Sequence, residues 1–184
     1  EQAREDAQLE TQADGWTPQA VYGCSAGSTG AGMVLAAAAL GARYPVRHVA
    51  PIVWPWDTRA DMAKIATEAG ERIGVEASFV DDDIELFEEF VGPDYGVVTP
   101  GCLEAMAVLA RTEGILVDPS YSGKALAGLI DHIRSGQLDP EEPVVFVHTG
   151  GTPALFAYNE VLSEQIAARS LAMPADQPQV TGGC

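Results

Sequence analysis

Three short segments carry side chains able to do chemistry, and each follows an apolar run directly. The first is Gly23-Cys24-Ser25-Ala26-Gly27-Ser28-Thr29, whose small residues let backbone approach a ligand closely. A helix entered there leaves its first N–H groups unpaired and aims about half a unit of positive charge back into the turn, which suits a phosphate. Small residues can equally serve only to seat a helix tightly on a sheet. Residues 23–27 also spell G-x-S-x-G, a turn able to present a nucleophilic serine. The second segment is Asp118-Pro119-Ser120-Tyr121-Ser122-Gly123 and the third His148-Thr149-Gly150-Gly151.

Two readings of these segments compete. Ser25, Asp118 and His148 each follow a predicted strand, in the order of a serine hydrolase triad. That fold needs several strands before its nucleophile and a second oxyanion donor from an earlier loop, and little chain precedes Ser25. The other reading places a phosphate on the first turn and Tyr95, Tyr121 and Ser122 around a flat ring. Dinucleotide and nucleotide fingerprints are excluded, because no three glycines follow G-x-G-x-x-G, and Met33 and Val34 stand where a P-loop needs Lys and Ser or Thr. Asp81-Asp82-Asp83 lacks the glycine and terminal Glu of a calcium loop and reads as a solvated acidic turn.

The elements that must position these groups alternate. Apolar runs predict strands over 20–24, 46–53, 75–80 and 144–147, a short strand at 115–117, and an acidic strand or loop anchored by Ile84 and Leu86, with Phe87 and Phe90. Helices are expected from about Gly30, from Arg59 to Gly70 behind an Asp57-Thr58 cap, from Cys102 to Thr112 behind Thr99-Pro100, and from Lys124 to Arg134. Met62, Ile65 and Ala66 should face inward from the second, and Leu103, Met106, Ala107 and Leu109 or Ala110 from the third. Such alternation implies a three-layer α/β fold with a doubly wound parallel sheet, which binds ligands at the carboxyl ends of its strands.

Composition narrows the partners. With 184 residues, 47% of them hydrophobic, the chain can bury one core and is one domain or a large piece of one. Its longest apolar run, 33–40, is too short to span a bilayer. Against 10 basic residues stand 27 acidic ones, and the net charge of −17 disfavours nucleic acid and anionic membranes as partners. Cys24, Cys102 and Cys184 form neither a disulfide framework nor a zinc pattern and suggest a reducing cytoplasm. The charged opening, EQAREDAQLETQAD, reads as the end of a helix whose start is missing, so a fragment or the product of a cut is expected. Residues 159–184 should form a last helix and a polar tail beyond an α/β unit over 1–158.

The segments GSTGAGM, YGVVTP, ARTEGILVDPSYSGKALAGLI and HTGGTPALFAY resemble the pyridoxal-phosphate enzymes of the D-cysteine desulfhydrase and 1-aminocyclopropane-1-carboxylate deaminase family, over about 15–158. The resemblance implies the C-terminal half of a fold type II pyridoxal-phosphate enzyme. On it, Ala26, Gly27, Ser28 and Thr29 should hold the cofactor phosphate, with Thr149 also at the cofactor. Tyr95 and Tyr121 should border cofactor and substrate as the catalytic groups, and Ser122 should face the pyridine nitrogen. The deaminases carry Glu at that last position and the desulfhydrase branch a hydroxyl residue, so Ser122 points to elimination of a good leaving group.

The resemblance also shows what these residues lack. Family members hold the cofactor as a Schiff base on a lysine of the N-terminal half, beside a Ser-Asn-His segment, and neither is here. Lys124 matches the family's helix-entry lysine and is expected to be structural, while Lys64 is expected on a helix surface. The implied assembly is therefore this chain with an N-terminal half, severed or separate, in a dimer of the complete enzyme acting on a small amino acid. The chain alone should be inactive. A non-catalytic subunit binding a phosphorylated ligand or a partner chain is the remaining function class.

Overall fold

In the computed structural model, which describes residues 16–164, Ala20–Cys24 forms strand β1 and the sheet grows from it on both sides. Helix α1 (Ser28–Ala39) leads to β2 (Val46–Val49) and helix α2 (Thr58–Ile73) to β3 (Glu85–Phe87). Helices α3 (Pro100–Thr112) and α4 (Ser122–Arg134) then carry the chain to β4 (Val144–Val147) on the other flank of β1. The order is β3-β2-β1-β4 and every pairing is parallel, with Cys24 opposite Val49, Val49 opposite Phe87 and Gly23 opposite Val147. Winding reverses between β1 and β4, so the loops leaving their carboxyl ends diverge and open a crevice.

Side-chain alternation along the strands builds one core on each face. Ala20 and Tyr22 of β1 pack with Ala105 of α3 and with Leu126 and Leu129 of α4. On the opposite face Val34 of α1 meets Met62 and Ala63 of α2 and Leu86 of β3. The helices start and stop where their caps dictate. Asp57 accepts from the Ala60 N–H at 3.1 Å, Gly74 closes α2 in the left-handed conformation at φ 75°, and Thr99 accepts from the Cys102 N–H at 3.2 Å with Pro100 behind it. His48 is buried in β2 with neither ring nitrogen hydrogen-bonded among the described residues, and burial lowers its pKa to about 4, so it sits neutral in the sheet.

Several elements depart from the pattern-based expectation. Strand β2 ends at Val49 rather than at Val53: Ala50 still donates to the Phe87 carbonyl at 2.9 Å, but Pro51 has no N–H to continue the ladder. Residues 75–80 are not a strand, because their donors turn elsewhere, Phe79 N–H to Thr67 Oγ1 and Val80 N–H to Asp83 Oδ2. Residues 115–117 also stay outside the sheet, with Val117 buried in the α3–α4 core and Ile115 and Leu116 exposed. Helix α1 begins at Ser28, before Gly30, and α4 at Ser122. The buried face of α3 is Cys102 and Ala105, with Met106 and Leu109 alongside; Leu103 and Ala107 are only half-buried. Residues 159–164 are helical, and the rest of the expected C-terminal segment, with Cys184 and the charged opening segment, lies outside the described residues. Among the described residues no helix is long and apolar enough to cross a membrane, and no cluster of three metal-ligating side chains occurs.

Candidate functional site

The turn after β1 is held from inside by Ser25. Its buried hydroxyl oxygen accepts from the Gly30 N–H at 2.8 Å and the Gly27 N–H at 3.3 Å, so it does the work of a helix cap from three residues before the helix. Gly30 sits close under its neighbours: a Cβ there would lie 2.5 Å from the terminal methyl of Met62 and 3.1 Å from Ser25 Oγ, so both side chains would have to shift. The N–H groups of Ser28 and Thr29 head the helix without an intrahelical partner, and no acidic residue occupies that first turn. A Cβ on Gly27 would meet no atom within 4 Å.

The turn entering α4 is filled instead by a carboxylate of the chain itself. Asp118, fully buried, accepts from the N–H groups of Ser120, Tyr121 and Ser122 at 2.8, 2.8 and 2.9 Å. The loop after β4 folds onto this anchor: Gly151 adopts φ 94°, and any side chain on it would collide with the Asp118 carboxylate. Ser122 Oγ donates to the Gly150 carbonyl at 3.0 Å and lies 3.1 Å from His148 Nδ1. Since the carbonyl takes the only hydroxyl proton, the imidazole is the donor in the second contact. Tyr158 closes the ring of loops, accepting from Ser120 Oγ at 2.9 Å and donating to the Gly96 carbonyl at 2.8 Å, which pins the loop bearing Tyr95.

Between these turns lies a cavity of about 560 Å³ lined by residues 24–29, by Pro51, Ile52 and Trp54 after β2, by Tyr95 and Tyr121, and by residues 149–151. Its volume is that of a small-molecule site. Among the described residues no Asp, Glu, Lys or Arg lines it, which leaves the α1 dipole and backbone N–H groups as its attraction for an anion. Tyr95 and Tyr121 share a short hydroxyl contact with their rings edge to face, 6.0 Å between centroids. The hydrogen bond with Tyr95, followed by burial, pushes the Tyr121 phenol up to about 12, so it is held protonated. Burial likewise pushes the Cys24 thiol to about 12, so it has no thiolate character.

Of the site residues drawn from sequence, Ala26, Gly27, Ser28, Thr29, Tyr95, Tyr121 and Thr149 come together on the cavity wall. Ser122 lies behind it, 1% exposed, with its hydroxyl engaged as described. The hydrolase triad is not assembled, because Ser25 serves backbone donors, Asp118 is consumed by three N–H groups and His148 pairs with Ser122. Lys64 stands on the surface near Glu68, and buried Lys124 donates to the Val91 carbonyl at 2.6 Å; neither lines the cavity. Trp54, just past the expected strand over 46–53, lines the cavity without having been singled out from sequence, and the signal that could have found it is its place after a strand beside the one at which winding reverses.

The family model for pyridoxal-phosphate dependent enzymes matches residues 47–150. The 1-aminocyclopropane-1-carboxylate deaminase of Burkholderia cenocepacia strain J2315 is 41% identical over 135 residues, 73% of this chain and 40% of that protein. The deaminase of the same name from Burkholderia multivorans is 38% identical over 138 residues, 75% of this chain and 41% of its own length. A crystal structure of an ACC deaminase homologue superposes with a TM-score of 0.74 at 27% identity, covering 86% of this chain and 47% of that one. The chain thus spans about two fifths of the curated relatives it matches.

Proposed function

The chain belongs to the pyridoxal-phosphate dependent enzymes, and from that premise we propose that it is the phosphate-seating part of a lyase or deaminase acting on a small amino acid. The observation that carries this reading is the meeting, in one cavity, of an open helix start with the Tyr95–Tyr121 pair. The donor set fits the group: N–H groups and hydroxyls of Ser28 and Thr29 for a phosphate, with no carboxylate in that turn. When bound, pyridoxal phosphate supplies an electron-withdrawing ring that accommodates the electron pair left at the substrate Cα.

The chain's own residues then divide the remaining tasks. Ala26 to Thr29 bind and orient through the phosphate, and Thr149 adds a hydroxyl from the facing loop. Tyr121, protonated at neutral pH, holds a proton at its hydroxyl for a departing group, and Tyr95 keeps that proton in place. Ser122, neutral and behind the cavity wall, would offer no carboxylate to a ring bound there, and Asp118 is already saturated by backbone donors. Weak electron withdrawal suits loss of a good leaving group, so the finer reading is β-elimination from D-cysteine or a cysteate-like substrate, with water giving pyruvate, ammonia and sulfide or sulfite. The names of the relatives favour a second reading, opening of the cyclopropane substrate.

Neither lysine of this chain reaches the cavity, so the reading includes an N-terminal half that brings the Schiff-base lysine, and a dimer of the whole. Buried free thiols at Cys24 and Cys102 suit a reducing, cytoplasmic setting. The test is a steady-state assay of the assembled enzyme on D-cysteine, L-cysteate and 1-aminocyclopropane-1-carboxylate, with the mass of each polypeptide in the particle. Pyruvate as the dominant product is expected; faster release of 2-oxobutanoate would replace the elimination reading by the ring-opening one.

A further inference from the structure

We infer that Trp54 is a positioning residue that sets the phosphate seat by locking the Ala26–Gly27 peptide, an inference that rests on the cofactor reading above. The indole Nε1–H donates to the Ala26 carbonyl at 3.0 Å, across 28 residues of sequence. The opposite edge of the same peptide, the Gly27 N–H, donates to Ser25 Oγ at 3.3 Å. In a planar trans peptide these two groups point in opposite directions, so holding both fixes the plane. Without the Trp54 bond the peptide is held at one edge only, by the long Gly27–Ser25 contact, and a carbonyl turned into the cavity would set a negative dipole end against an anion at the start of α1.

Trp54 is itself held for this task. Its ring stacks on Trp56, 4.7 Å between centroids and 11° from parallel, and Asp57 next in the chain caps α2. The residue also lines the cavity. The loop after β2 therefore reaches across the carboxyl end of the sheet and shapes the turn after β1 through one hydrogen bond, with no charge of its own.

The test compares the affinity of the full chain for pyridoxine 5′-phosphate and for pyridoxine, alcohols that cannot react with lysine. The chains are wild type, Trp54→Phe, Trp56→Phe, and a chain with benzothienylalanine at position 54, which keeps the indole shape and loses only the N–H. Loss of one hydrogen bond should weaken the phosphate ester by about three- to tenfold in both position-54 variants while pyridoxine affinity stays unchanged. Trp56→Phe should stay within about twofold for both ligands, since its N–H is not the donor. Unchanged affinity for the ester in the benzothienyl variant, or an equal loss for both ligands, overturns the role of Trp54 and leaves the phosphate seat standing. A wild-type chain that does not prefer the ester over pyridoxine overturns the seat and the inference together.

Discussion

Helices α1 and α4 both start at the crevice between β1 and β4, yet their first turns are satisfied in opposite ways. At α4 the buried Asp118 carboxylate takes three N–H groups, and the helix start is saturated from within. At α1 the neutral Ser25 takes the Gly27 and Gly30 donors, and those of Ser28 and Thr29, on the cavity wall, are left to the helix start. Similar dipoles thus leave one helix start closed from within and one open to an anion, and the deciding variable is whether the chain supplies its own negative charge.

The strongest way to break this contrast is to empty the filled end. Asp118→Ala removes acceptors from three buried donors and should cost about 3–5 kcal/mol of unfolding free energy, measured by denaturant titration. Filling the open end is the reverse experiment. Ser28→Asp puts a carboxylate beside the seat and should weaken pyridoxine 5′-phosphate by roughly a hundredfold, while the helix gains up to about 0.5 kcal/mol from the dipole. Retained affinity in that variant would show that the anion sits elsewhere.

Two smaller changes sharpen the picture on either side. Tyr95→Phe removes the main cause of the raised Tyr121 pKa, so tyrosinate absorbance in a pH titration should appear from about 12 back toward 10. A folded pKa above the unfolded one means the wild-type contribution is complete below pH 10 and fades as pH climbs to about 12. Ser25→Ala removes an acceptor from two N–H groups, and a loss of about 1 kcal/mol with a few-fold drop in ligand affinity is expected. Fluorophosphonate should leave wild-type Ser25 unlabelled, and stoichiometric labelling would restore the nucleophile reading.

The sequence made the alternation of elements and the three strand-end turns legible, because apolar periodicity and small-residue turns are local signals. Strand membership was less so. Residues 75–80 and 115–117 have strand-like composition, but composition reports a surface that packs well and not a partner in register. Of the residues on the cavity wall, Ser28, Thr29, Tyr95, Tyr121 and Thr149 could be named in advance, whereas Trp54 could not, since its hydrogen bond reaches a residue 28 positions away. The capture of Asp118 by backbone and the withdrawal of Ser122 behind the wall were equally invisible, being set by the fold of the loop and not by residue type.

The pairing of Tyr22 with Phe146 has a consequence for how the protein is made. The cavity has one wall after β1 and the other after β4, so the emerging chain can lay down β1, β2 and β3 in turn while its binding site stays half built. Closure waits for the most distant strand pairing in the sheet, a slow step for a parallel topology. The site therefore reports on completion of the fold, and a ligand that bridges both walls would act on a newly synthesised chain as a clasp rather than as a template.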